Sequence, residues 1–167
     1  MKVTSEGIKN GIIDEKYGKK GIQFNAFGVP TYSLPIKIED APRNTVSFAL
    51  VLEDKDAQPV TKGFTWIHWI AANITRDYIM ENESQNARDF IQGINSWHSE
   101  LGKNLSRGES SYYGGMTPPD KPHTYELHVF ALDKLVDLQD GFYLNELYKE
   151  MDGHIIDQDT IKGIYNN

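Results

Sequence analysis

Three stretches of the chain alternate apolar and polar or small side chains with a period of two, which predicts strands. In Thr45–Glu53, Val46, Phe48, Leu50 and Leu52 fall on one face and Thr45, Ser47, Ala49 and Val51 on the other. In Phe64–Ile74 two large apolar sets alternate, with Phe64, Trp66 and Ile70 against Ile67 and Trp69. Such a strand is expected to be buried on both faces. In Thr124–Leu132, Tyr125, Leu127, Val129 and Ala131 share one face, and Thr124, Glu126, His128 and Phe130 the other. A helical period appears once with clarity. Leu144, Leu147, Tyr148 and Met151 stand at i, i+3, i+4 and i+7, with Gly153 placed to end the helix. A weaker helical pattern covers Glu81–Phe90, and the polar stretch Asn95–Ser111 reads as a long loop of the functional kind. The strands follow one another without intervening helices. This predicts a mainly β fold, an antiparallel sandwich with a few peripheral helices including one near the C-terminus, and argues against a doubly wound α/β sheet.

Composition narrows the chemistry more than the fold. The chain has 167 residues, which fits one domain spanning 1–167. It has no cysteine, which excludes disulfides, thiolate metal sites and a cysteine nucleophile. The formal net charge of −7 comes without a basic cluster, so nucleic acid is not an expected partner. No apolar run is long enough to span a membrane, and residues 1–21 lack the apolar core of a secretory signal. A cytoplasmic protein without stable membrane insertion is the expectation.

Ionisable residues gather at the strand ends. The first strand runs out into Asp54-Lys55-Asp56-Ala57, the second carries His68 within Trp66-Ile67-His68-Trp69, and the third begins beside His123, after Tyr113-Gly114-Gly115-Met116-Thr117-Pro118-Pro119. Taken singly, each has a plain structural reading: Asx-turn carboxylates, a satisfied core histidine, and a rigid Gly/Pro loop.

Taken in order, these segments resemble the two signature regions of the phosphatidylethanolamine-binding protein family, in its bacterial and archaeal, Raf kinase inhibitor-like branch. The pieces are Asp-x-Asp-Ala, Trp-x-His-Trp and Tyr-Gly-Gly-x-x-Pro-Pro…His-x-Tyr. Ser33-Leu34-Pro35-Ile36, Ala41-Pro42-Arg43-Asn44-Thr45, Gly153-His154-Ile155-Ile156 and Ile161-Lys162-Gly163-Ile164-Tyr165 match as well, so the resemblance is clearest over residues 33–165. Three positions depart from the family pattern: Lys55 and Met116 stand where proline is usual, and Thr124 where arginine is frequent. The resemblance implies one small pocket built from Asp54, His68, Pro119, His123 and Tyr125, with Gly115 and Pro118 shaping its loop.

Two imidazoles and a phenol hydroxyl can donate to phosphate oxygens, and a carboxylate beside an imidazole orients it and favours its charged form. The implied function is a non-enzymatic binding protein for a small phosphate- or carboxylate-bearing ligand, without cofactor or metal. A protein partner such as a kinase or protease, and a homodimer, remain open. Imidazolium donors would make affinity rise as pH falls through about 6.5. The alternative is a metal-dependent enzyme using His68, His123 and Asp54, two histidines and a carboxylate. Metal-free hydrolysis would need Ser110 or Ser111 with His123 as base. Trp97, Tyr112 and Tyr113 form either a protein-binding surface or a satellite core under the long loop. His98, His128 and His154 are assigned no chemistry, and His128 is expected to face away from Tyr125.

Overall fold

The three stretches of period two become the centre of one sheet. In the computed structural model, which describes residues 1–167, ten strands follow one another. They are β1 (Lys2–Thr4), β2 (Ile8–Lys9), β3 (Ile12–Ile13), β4 (Ile36–Glu39), β5 (Ser47–Asp54), β6 (Trp66–Ile74), β7 (Tyr78–Ile79), β8 (Ile91–Gln92), β9 (His123–Leu132) and β10 (Ile155–Tyr165). Three short helices join them: α1 (Gln58–Thr61), α2 (Arg107–Ser110) and α3 (Leu144–Met151). The larger sheet has seven strands in the order β2-β3-β10-β9-β5-β6-β8, and the smaller has three, β1-β4-β7. All pairings are antiparallel except β3 with β10. The fold is mainly β with few helices. Its layers are unequal, a wide sheet against a narrow one, which qualifies the sandwich expected from the sequence.

Burial follows from this layering. Phe48, Leu50 and Leu52 of β5 and Tyr125, Leu127, Val129 and Ala131 of β9 pack with Val3, Ile36, Ile38 and Ile79 of the smaller sheet. On the opposite face, Ala49 and Val51 of β5 and Ile70 of β6 pack against Leu147 and Met151 of α3. Strand β5 is therefore buried along its whole length. Helix α3 presents Leu147 and Met151, four residues apart, to the sheet and leaves Tyr148 half exposed. The Glu146 carboxylate accepts from the Tyr143 backbone N–H at 2.7 Å at its start, and Gly153 takes a left-handed φ of 75° just past its end.

Four expectations need correction. Residues 81–90 form no helix: one turn closes where Asn86 and Ala87 N–H donate to the Glu83 carbonyl, and the chain then enters β8. Glu83 is drawn out of a helical role because its carboxylate pairs with Arg76 at 2.6 Å and accepts from Met80 N–H at 2.6 Å. Residues 95–111 are not all loop. They hold a 3-10 turn at Ser96–His98 and α2, where Ser106 and Glu109 cap each other. Third, Ile67 and Trp69 do not share a face. Glu53 pairs with Ile67, but Leu52 pairs with Trp69, so His68 is an extra residue opposite the β5 ladder. This β-bulge sends Ile67 toward the α3 side and Trp69 into the main core. Phe64, expected within the strand, precedes β6 and is 71% exposed.

Candidate functional site

Strands β5, β6 and β9 end side by side, and their ends supply the site. Asp54 closes β5 and lies across from Tyr125 on β9 and Trp66 on β6. Its Oδ1 accepts from Asp56 and Ala57 N–H at 2.9 and 3.1 Å, the Asx turn read from the sequence, which starts α1. Its Oδ2 lies 2.7 Å from His123 Nδ1. The Asx turn read from the sequence is present, and the same carboxylate also contacts His123. Asp56 ties the turn to β9 by accepting from Thr124 N–H at 2.9 Å.

His123 is buried, and both of its ring nitrogens face carboxylates: Nδ1 meets Asp54, and Nε2 meets Asp120 Oδ1 at 2.8 Å. Two such contacts require two N–H groups, so the ring is an imidazolium. Burial alone would lower its pKa, but the bonds to Asp54 and Asp120 overcome burial and raise it above the ordinary histidine value. The same bond to His123 holds the Asp120 carboxyl below its usual range.

His68 differs. The bulge places its ring against Trp97 and Tyr125, edge to face, at centroid distances of 5.2 and 5.1 Å. Its Nδ1–H donates to the Gly114 carbonyl at 2.7 Å, while Gly114 N–H donates to the His68 carbonyl at 2.9 Å. Burial lowers its pKa against the pull of the Asp54 charge and of the Gly114 and Gly115 carbonyls. The two imidazoles therefore differ: His123 faces two carboxylates, whereas His68 has no carboxylate partner to offset its desolvation.

The loop from Tyr113 to Asp120 is held from behind. Trp69 Nε1–H donates to Gln92 Oε1 at 2.8 Å, Ser84 donates to the same oxygen at 2.6 Å, and Ser84 Oγ accepts from Tyr113 N–H at 2.9 Å. Gly115 N–H donates to the Pro30 carbonyl at 2.8 Å, and a Cβ on Gly115 would collide with the Tyr17 carbonyl. The Pro118 carbonyl accepts from Lys19 Nζ at 2.5 Å.

The enclosed space is a cavity of about 140 Å³ walled by Asp54, Thr61, Trp66, His68, Thr117, Pro119 and His123, with Ala57, Val60 and Leu101 adding apolar surface. No lysine or arginine lines it. Gly115, Pro118 and Tyr125 stand behind this wall rather than in it. The Tyr125 hydroxyl is buried without a partner, and burial together with the Asp54 charge pushes its pKa far up. Asp120 and Leu101 were not singled out from the sequence, and Trp66 entered only as part of the Trp-x-His-Trp signature; the one signal for Asp120 was its position three residues before His123 in the proline-flanked loop.

The competing chemistries find less support. Ser110 and Ser111 donate to the Ser106 and Arg107 carbonyls and do not line the cavity. His123 commits both nitrogens to carboxylates, so a metal could reach it only by displacing one of them. Ligand atoms of a histidine and two carboxylates do come within 4.8 Å of one another at Glu53, Glu126 and His128, on the opposite sheet face. There Lys55 already bridges the two glutamates, at 3.2 and 2.9 Å. His128 faces away from Tyr125, as expected. Trp97 packs with Val29, Leu105 and Trp66 in a small separate cluster, while Tyr113 joins the main core.

Comparison with known proteins places the chain in a family. The phosphatidylethanolamine-binding protein family profile matches residues 4–166. An uncharacterized protein of Bacillus subtilis, YxkA, is 44% identical over 152 residues, covering 89% of this chain and 86% of that protein. The crystal structure of CT736 from Chlamydia trachomatis, described as a homolog of the family, superposes with a TM-score of 0.80 at 29% identity, covering 99% of this chain and 96% of that one. Escherichia coli YbcL shares the fold, with a TM-score of 0.76 at 24% identity over 99% and 98% of the two chains. The chain belongs to the phosphatidylethanolamine-binding protein family, in its bacterial and archaeal branch. No helix is long and apolar enough to cross a membrane.

Proposed function

We propose that this protein is a non-enzymatic binding protein whose cavity receives the polar head of a small phosphate- or carboxylate-bearing ligand. The observation that carries this reading is the His123 ring, buried at a cavity wall between Asp54 and Asp120, yet capped on Nε2 by a carboxylate that is itself 48% exposed. Asp120 occupies the position an external oxyanion would take, and a ligand oxygen can replace it at His123 without leaving the imidazolium unpaired. The volume of about 140 Å³ admits a headgroup and little else; a whole drug-sized ligand needs about 300 Å³ or more. The remainder of a larger ligand would lie across Val60 and Leu101, which are 49% and 45% exposed at the rim. A kinase or protease docking at that rim would couple binding to regulation, and a cytoplasmic location fits such a role.

The test is an NMR titration of the histidine ring protons with phosphate and phosphoethanolamine, repeated on His123→Ala. Saturable shifts at His123 and His68 that vanish in the variant support the reading. An unresponsive pair of rings in the wild-type protein refutes it.

A further inference from the structure

The cavity wall carries polar atoms that nothing in the protein satisfies. His68 Nδ1 holds a proton, because it faces the Gly114 carbonyl at 2.7 Å. The neutral ring therefore carries its lone pair on Nε2, and this nitrogen is buried without a partner. The indole N–H of Trp66, on the same cavity, is also buried and unpartnered. Buried polar atoms are nearly always paired, so an unmatched acceptor and an unmatched donor around one cavity describe what its occupant must bring. The charges point the same way. One imidazolium, His123, stands against two carboxylates, Asp54 and Asp120, and no lysine or arginine lines the space. An oxyanion offering only lone pairs meets the lone pair of His68 and the charge of Asp54 with nothing to give either.

We propose that the cavity selects oxyanion ligands that carry their own hydrogen-bond donor, which meets His68 Nε2, over oxyanions that present acceptors alone. This rests on the headgroup reading and sharpens it. Hydrogen phosphate brings a P–OH, and a phosphomonoester does so in its singly charged form, below its second pKa of about 6; a phosphodiester qualifies only when an ammonium tethered to it supplies the proton. Sulfate and simple phosphodiesters bring none. The ligand's acceptor oxygens have the Trp66 N–H and, once Asp120 moves aside, the His123 Nε2–H. Selection of this kind is steep, because the wrong ligand leaves a buried polar group unpaired while adding repulsion.

The experiment uses the intact wild-type protein near neutral pH at fixed ionic strength. Inorganic phosphate, sulfate, dimethyl phosphate and glycerophosphoethanolamine are titrated by calorimetry, with ¹⁵N spectra of the histidine rings recorded in parallel. Before ligand, His68 should show one N–H nitrogen and one bare nitrogen, and His123 two N–H nitrogens. Phosphate should bind on the order of a hundredfold or more tighter than sulfate and dimethyl phosphate, and should move the bare His68 signal. Glycerophosphoethanolamine binding where dimethyl phosphate does not supports the proposal with an ammonium as the donor. Sulfate binding as tightly as phosphate overturns it and leaves the headgroup reading standing, as does a His68 ring protonated on both nitrogens. Failure of every phosphate-bearing compound to bind removes the headgroup reading and this one together.

Discussion

Replacing Asp54 in two ways separates its turn role from its charge role. In Asp54→Asn the amide oxygen can keep both backbone N–H bonds of the turn, at 2.9 and 3.1 Å in the wild type. The amide nitrogen then faces His123 Nδ1, donor against donor, until the ring gives up that proton. The loss is one ion-assisted hydrogen bond, about 1.5–3 kcal/mol. Asp54→Ala removes the same bond, strands two backbone donors in a site where Asp54 is 3% exposed, and leaves His123 without its inner carboxylate. Breaking a buried pair in this manner costs about 3–5 kcal/mol. The penalty depends on pH with a definite sign. The folded-state pKa of His123 is raised, so its stabilising contribution is complete below the unfolded value of about 6.5 and disappears as pH rises through the folded value. Urea denaturation at a series of pH values should show Asp54→Ala more damaging than Asp54→Asn, with both penalties shrinking at alkaline pH. The His123 ring should also titrate lower in Asp54→Asn than in the wild type. Equal penalties for the two variants, or an unmoved His123 titration, would refute the assignment of two roles to one carboxylate.

Other substitutions probe the surrounding shell. Asp120→Ala frees His123 Nε2, so the ring should titrate lower by NMR and phosphate should bind more tightly by calorimetry; weaker binding would mean that Asp120 does not compete with the ligand. Gly115→Ala must push against the Tyr17 carbonyl and should destabilise by about 1–3 kcal/mol in chemical denaturation, as overpacking does. Gln92→Leu orphans the Trp69 indole N–H and the Ser84 hydroxyl, at about 1–3 kcal/mol for each unsatisfied group, and should broaden the Tyr113–Gly115 amide signals. Leu147→Ala opens a cavity between α3 and the sheet and should cost about 2–5 kcal/mol without altering phosphate affinity; a changed affinity would mean that the two sheet faces are coupled. The pH response expected from two imidazolium donors reduces to that of His123. His68, with its lowered pKa, contributes the opposite sign: its term is full above about pH 6.5 and is lost as pH falls toward its folded value.

Strands β5 and β9 were legible in the sequence because each obeys an unbroken period of two. Nothing in the apolar pattern marks His68 as an extra residue, because the bulge is a property of pairing between β5 and β6 and not of either strand alone. The site was therefore found through motif order, and its electrostatics were read too simply. Whether a buried histidine is charged depends on what its second nitrogen meets. For His123 that is Asp120, contributed by a loop with no periodicity to reveal it; for His68 it is no group of the protein. Residues 81–90 failed for a related reason: the helix-like spacing is real, but Arg76 and the β8 network hold Glu83 and Ser84 elsewhere.

The parallel pairing of β3 with β10 has a temporal consequence. Strand β10 lies against β9 along nearly its whole length and bridges back to Ile12, while the Tyr165 hydroxyl donates to the Glu15 carbonyl and accepts from Lys20 N–H. Lys19, which holds the Pro118 carbonyl, also reaches Asn167. On a ribosome, β9 has only one neighbour until residues 155–165 emerge, and the segment that braces the pocket loop waits for the same event. Folding of this chain should be slow for its size, since closing the sheet joins residues some 150 apart. During that interval the half-paired edge of β9 is exposed to other chains, so the vulnerable species in the cell is the nascent chain rather than the finished protein.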